Sequence, residues 1–253
     1  MPFPLPSDPC STPRDATTDE SSGRWWRLWI DRGGGFDITD GDEVTIGGPG
    51  TPGASRRSGR ADMAIRCDWP PRVASVRRIE GEDWLAVESG WHDAAGEVAG
   101  ELASGPSGPF GASGGVSRLM PLGPEQRLGL VRSGGRGSRG GVQVVYRRPS
   151  PLSRSAVLGV LPPFRLSEPI DALVMFDQTM LIGPEPFNHL CTPGLSSQQW
   201  VMFRRQEKWW IRGSAIGPRP IEEGEPWRYE DWTMLIRASD RGLSVPKAGG
   251  VDE

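Results

Sequence analysis

The sequence predicts an all-β protein built as two antiparallel β-sandwiches with long loops and disordered termini. Three observations carry that expectation. Short runs rich in β-branched and aromatic residues recur along the chain and alternate in polarity, as in Val73, Ser75, Arg77 against Ala74, Val76, Arg78, while no segment sustains a capped helical period. Turn chemistry separates the runs: DGDE, IEGED and RSGGRGSRGG. Eleven Trp and seven Phe supply core anchors in a chain that also carries 35 Gly and 25 Pro among its 253 residues, which fits folded domains with long loops.

In chain order, residues 1–22 are rich in Pro, Ser, Thr and Asp without an apolar period, and they predict a disordered tail. A first sandwich spans 24–148, with strand signals RWWRLWID, FDIT, EVTIG, DMAIRC, VASVRRI, DWLAVE, QRLGLV and VQVVYRR. Within it, the Gly/Ser/Pro-rich residues 100–118 read as a long mobile loop. Residues 149–155 form a linker, open between a tether and an ordered crossover. A shorter second sandwich spans 156–238, with AVLGVL, IDALVMF, TMLIGP, QWVMFRR, KWWIRG and WRYEDWTMLIRA, and 239–253 form a frayed tail. Alternation assigns Val44, Ile46, Val76, Trp84 and Val87 to one core, and Leu181, Met202, Phe203, Trp209 and Ile211 to the other.

The halves repeat each other. DEVTIGGPG (Asp42 to Gly50) is echoed by QTMLIGPEP (Gln178 to Pro186), and VASVRRIEGEDWLAV (Val73 to Val87) by WVMFRRQEKWWIRG (Trp200 to Gly213). Each half runs from a strand ending in Ile-Gly, through a loop, to an apolar strand ending in Arg-Arg and a hairpin into a Trp strand. The first half is longer by the insert TPGASRRSGR, which a loop tolerates.

Composition narrows the function. A net charge of −3 gives no field that would gather nucleic acid or membrane. Arginine dominates the 29 basic residues, with only Lys208 and Lys247 as lysines; this suits bidentate phosphate contacts or reflects nothing more than codon bias. Cys10, Cys67 and Cys191 form no metal-binding pair, and with only His92 and His189 a His/Cys cluster is hard to assemble. The N-terminus has neither the basic nor the apolar region of a signal peptide, and no run reaches a membrane span, which predicts a soluble, cytoplasmic protein. No nucleophile and base are paired, so no enzyme and no cofactor are expected.

The repeat resembles the forkhead-associated (FHA) family, in particular tandem members of bacterial proteins. That family is a β-sandwich whose loops at one end bind phosphothreonine peptides. Its marks are Ile-Gly-Arg, then Leu-Ser-x-x-His-Ala before an x-I-x-R strand, then Asn-Gly. In the first half Ile46-Gly47 match, but Gly48 stands at the arginine, Pro70 at the serine, Val73 at the histidine, and Ala99-Gly100 at the Asn-Gly turn. In the second, Ile182-Gly183 are followed by Pro184; Ser197 keeps the serine, Trp200 takes the histidine, and Ile216-Gly217 the turn.

The resemblance implies an interaction module of Ser/Thr kinase signalling with ordinary phosphothreonine recognition lost or rewired. Its candidate phosphate- or partner-binding residues are Gly48, Arg56, Arg57, Arg60, Arg72, Ser197 and Trp200, the loop arginines standing in for the missing one. Trp200 also reads as a packing residue. Thr17 and Thr18, followed by Asp19 and Glu20, match the phosphorylatable pair that some bacterial members carry ahead of the domain, or belong to an unmodified tail. The expected partner is a protein, with phosphothreonine as its distinguishing mark. The alternative is a structural scaffold subunit that binds no phosphopeptide.

Overall fold

The computed structural model describes residues 23–50, 60–94, 116–133, 141–195 and 198–239. Strands make up just over half of them, with almost no helix. The first half holds β1 (Trp25–Ile30), β2 (Gly34–Thr39), β3 (Glu43–Gly47), β4 (Met63–Ala64), β5 (Ala74–Ile79), β6 (Glu82–Glu88), β7 (Trp91–Asp93), β8 (Val116–Pro121), β9 (Glu125–Arg132) and β10 (Val142–Arg147). The second holds β11 (Ala156–Val160), β12 (Ala172–Met175), β13 (Thr179–Gly183), β14 (Leu190–Cys191), β15 (Trp200–Arg205), β16 (Lys208–Gly213), β17 (Arg219–Ile221), β18 (Pro226–Tyr229) and β19 (Trp232–Ala238). No helix among the described residues is long and apolar enough to cross a membrane.

Three sheets form. Two five-stranded sheets have matching orders, β4-β3-β5-β6-β8 and β14-β13-β15-β16-β17. Even their registers correspond: Ile46 pairs with Met63 and Ala74, and Ile182 with Leu190 and Trp200. Both central hairpins turn on two residues of positive φ, Glu80–Gly81 and Gln206–Glu207, the geometry that matches the twist of the flanking strands.

The third sheet has nine strands, β18-β19-β1-β2-β12-β11-β10-β9-β7, and runs through both halves. Its central pair, β2 with β12, is parallel. Along β11, Ala156 and Leu158 enter one core and Val157 the other; along β12, Leu173 and Met175 oppose Val174 in the same way. Because successive side chains of a strand point to opposite faces, the two cores lie on opposite faces of this sheet. Burial on both faces explains why β11 and β12 read as unbroken apolar runs, AVLGV and ALVM, rather than alternating ones.

The hairpins are exchanged between the halves. β1 and β2 directly precede the sheet that covers the first core, yet Trp26, Leu28, Ile30, Phe36 and Ile38 fill the second. Conversely β11 and β12 precede the sheet over the second core but send Ala156, Leu158, Leu173 and Met175 into the first. The boundary at 149–155 therefore does not divide two self-contained sandwiches. That segment is an ordered crossover: the Ser153 and Ser155 hydroxyls both donate to the Thr179 carbonyl at 2.6 and 2.7 Å.

The expected core assignments hold for Val44, Ile46, Val76, Val87, Met202, Trp209 and Ile211, which are buried. Trp84, Leu181 and Phe203 are only half-buried on the outer faces, where the strand phase places them. β8 begins at Val116, inside the stretch expected to be loop.

Candidate functional site

The loops after β3, β4 and β6 gather at one end of the first half, where a phosphate reader was expected. Gly48 is buried and its N–H donates to the Pro70 carbonyl at 2.8 Å. A Cβ on Gly48 would lie on the Trp69 carbonyl oxygen, and one on Gly47 on the Pro71 carbonyl oxygen. The position is therefore not an arginine site with its side chain trimmed away. The Trp69–Arg72 backbone fills it, held by Trp69 edge-on to Trp91 with ring centres 4.9 Å apart.

The two described arginines of the predicted site point elsewhere. Arg72 donates to Glu88 and Glu43, each at 2.8 Å, across the outer face of β3 and β6. Arg60 pairs with Glu168. Arg56, Arg57, Thr17, Thr18 and Ser197 lie outside the described residues.

At the corresponding end of the second half, Trp200 is fully buried and corrects the expectation of a binding-end aromatic. It packs edge-on against Tyr229 and Trp232, with centres 4.8 and 5.4 Å away. The cause is strand phase: Trp200 shares a face of β15 with Met202, and that face is the core. Gly183 has Asn188 Nδ2 at 2.8 Å from where its Cβ would be, so a side chain is resisted there too. Asn188 is buried and accepts from Gln199 at 2.7 Å, while its Nδ2 finds no acceptor among the described residues. His189 beneath it accepts from the Leu181 N–H through Nδ1 (3.0 Å) and donates through Nε2 to the Ser155 carbonyl (3.1 Å). Burial pushes its pKa down to about 4.

Three charge clusters were not anticipated. Arg27 forks onto Asp37 at 2.7 and 3.2 Å and reaches Glu168 at 3.2 Å, and Glu168 also holds Arg60. This chain ties β1, β2 and the β11–β12 loop to the segment entering β4; the hydrogen bond that Arg27 donates to Asp37 is the main cause raising the Arg27 pKa. The same loop adds to β4 through the Ser167 N–H to Ala64 (2.7 Å) and the Arg66 N–H to Arg165 (2.9 Å). Elsewhere Arg24 and Arg204 share Asp40, and Arg204 lies 4.4 Å over the Trp26 ring. Arg78 and the Tyr146 hydroxyl converge on buried Asp83 at 3.0 and 2.6 Å. One signal for the first cluster was available: laying WWRLWI against GGFDIT as a hairpin brings Arg27 opposite Asp37. Glu168, 131 positions beyond Asp37, carried no local signal.

Among the described residues no group of three or more His, Cys, Asp or Glu could hold a metal ion. No family model matches this chain, and neither a curated protein nor a solved structure matches it.

Proposed function

We propose that this protein is a non-enzymatic, FHA-like interaction module that does not read phosphothreonine in the ordinary way. One observation supports the reading above others: the Trp69–Arg72 backbone lies over Gly47 and Gly48. A carbonyl oxygen carries partial negative charge, so its presence where an arginine would reach for phosphate repels the anion as well as blocking the side chain. The neighbouring described arginines are already matched by carboxylates, Arg60 by Glu168 and Arg72 by Glu43 and Glu88.

Magnitudes make the consequence concrete. A hydrogen bond to a charged group contributes about 1.5–3 kcal/mol. A micromolar reader, at roughly −8 kcal/mol, that lost two of them would bind at about millimolar or worse. Partner recognition would then rest on shape and unphosphorylated side chains.

The test is a titration of the full chain with phosphorylated and unphosphorylated peptides covering Thr17 and Thr18, and with a degenerate phosphothreonine library. Equal, weak responses from both forms are expected. Micromolar, phosphate-dependent binding that disappears on replacing Arg56, Arg57 and Arg60 would sink this reading and establish a rewired phosphate site.

A further inference from the structure

Among the described residues, each half of the nine-stranded sheet is covered by a five-stranded sheet on one face only. The reverse face of β18, β19 and β1 presents a cross-strand row, Pro226 beside Leu235 beside Trp29. The row continues to Gly35, where the Pro169 carbonyl comes within 3.1 Å of where a Cβ would be and forms a wall. Trp29 is 37% exposed, which is unusual for a large apolar side chain here, and an open depression of about 560 Å³ adjoins it.

Charge frames this shelf. Arg237 lies two residues beyond Leu235 on β19; Arg228, opposite Thr233, lies as far to the other side. Both are exposed, and neither makes an ion pair among the described residues. Arg27 on the same face is already matched by Asp37 and Glu168.

We propose that this shelf docks an extended segment of a partner protein with the pattern acid–x–apolar–x–acid. In a strand, alternate side chains share a face and residues i and i+4 lie about 14 Å apart. That equals the separation of the Thr233 and Arg237 positions along β19. The acids would meet Arg228 and Arg237, and the apolar side chain between them would rest on Trp29, Leu235 and Pro226. Nucleic acid fits less well: among the described residues only two unmatched cations face the shelf, and affinity for a phosphate backbone scales with the number of phosphates neutralised.

The inference rests on the partner-binding reading and deepens it, but it shares no residue with the Gly48 end. The two can fail separately. Fluorescence anisotropy of a labelled Ser-Glu-Ser-Leu-Ser-Glu-Ser peptide with the full chain is the first measurement. Binding between about ten and several hundred micromolar is expected, in keeping with a small contact. Trp29→Ser, and separately Arg228→Glu with Arg237→Glu, should each weaken it by about tenfold. The double reversal should also gain affinity for the peptide with lysine in place of glutamate. No binding at millimolar peptide overturns the proposal, and so does binding that these variants leave unchanged. A thymidine oligonucleotide that binds the shelf in place of the peptide would assign it to nucleic acid. Peptide binding that appears only after removal of residues 1–22 would assign it to the chain's own tail; either result also overturns the proposal.

Discussion

Gly48 and His189 show how much a single position decides. Placing an arginine there by Gly48→Arg should not create phosphate binding, because the Trp69 carbonyl oxygen already occupies the space the Cβ needs. Moving the backbone aside breaks the Gly48 N–H bond to Pro70 and should cost several kcal/mol, on the order of 3. Chemical denaturation measures this directly; a Gly48→Arg protein of unchanged stability would mean that the loop yields freely. His189 makes the opposite kind of prediction, in pH. Its ring is needed neutral, since Nδ1 accepts from Leu181, and burial lowers its folded pKa to about 4 from the usual 6.5. The unfolded chain therefore binds the proton first. Stability is intact above about pH 6.5 and falls as pH drops from 6.5 towards 4, by about 3 kcal/mol in total. His189→Gln, which cannot take that proton, should flatten the dependence between pH 5 and 6.5. Parallel pH profiles for the two proteins would show that His189 is not the titrating group.

At the level of elements, the hairpin joining β15 to β16 carries strain at both turn positions, where its counterpart carries it only at Glu80. Gln206 and Glu207 have φ of 52° and 63°, where the first half uses Gly81 at the second position. An L side chain in this region costs roughly 1 kcal/mol, so Gln206→Gly should raise the unfolding midpoint with no change in the fold. Glu207 is a poorer target, because it pairs with Arg24 and Arg204. A lower midpoint for Gln206→Gly would mean that backbone entropy outweighs the relief. These hairpins are also the elements most legible in the sequence, since alternation and turn residues are local signals. β8 was hidden because its residues follow a long Gly/Ser/Pro stretch and contain a proline of their own, Pro121. Trp200 stayed open between a binding and a packing role for a related reason. Alternation defines two phases of β15, and only the pairing of Met202 with Ile211, both fully buried, selects the one that turns Trp200 inwards.

At the scale of the whole molecule, the exchange of hairpins is the feature no local pattern announces. β1 pairs with β19 across more than two hundred residues, and nothing in WWRLWI distinguishes that neighbour from β10. The exchange makes each core depend on both halves: the second loses Trp26, Leu28, Ile30, Phe36 and Ile38 if the first is removed, and the first loses Ala156, Leu158, Leu173 and Met175 without the second. Burying a large apolar side chain contributes about 1.5–3 kcal/mol, and a whole domain is stable by only about 5–15 kcal/mol. Neither half can forfeit four or five such residues and stay folded. Residues 1–150 and 151–253, produced separately, should each lack cooperative unfolding, yet mixing them should recover a complex with the intact chain's near-ultraviolet dichroism from Trp209 packed on Trp26 and Phe176. The intact chain should unfold in one transition. Two resolved transitions, or a half that melts cooperatively by itself, would mean that each five-stranded sheet can close on its own preceding hairpin, and that the crossed arrangement is one of two packings open to the chain.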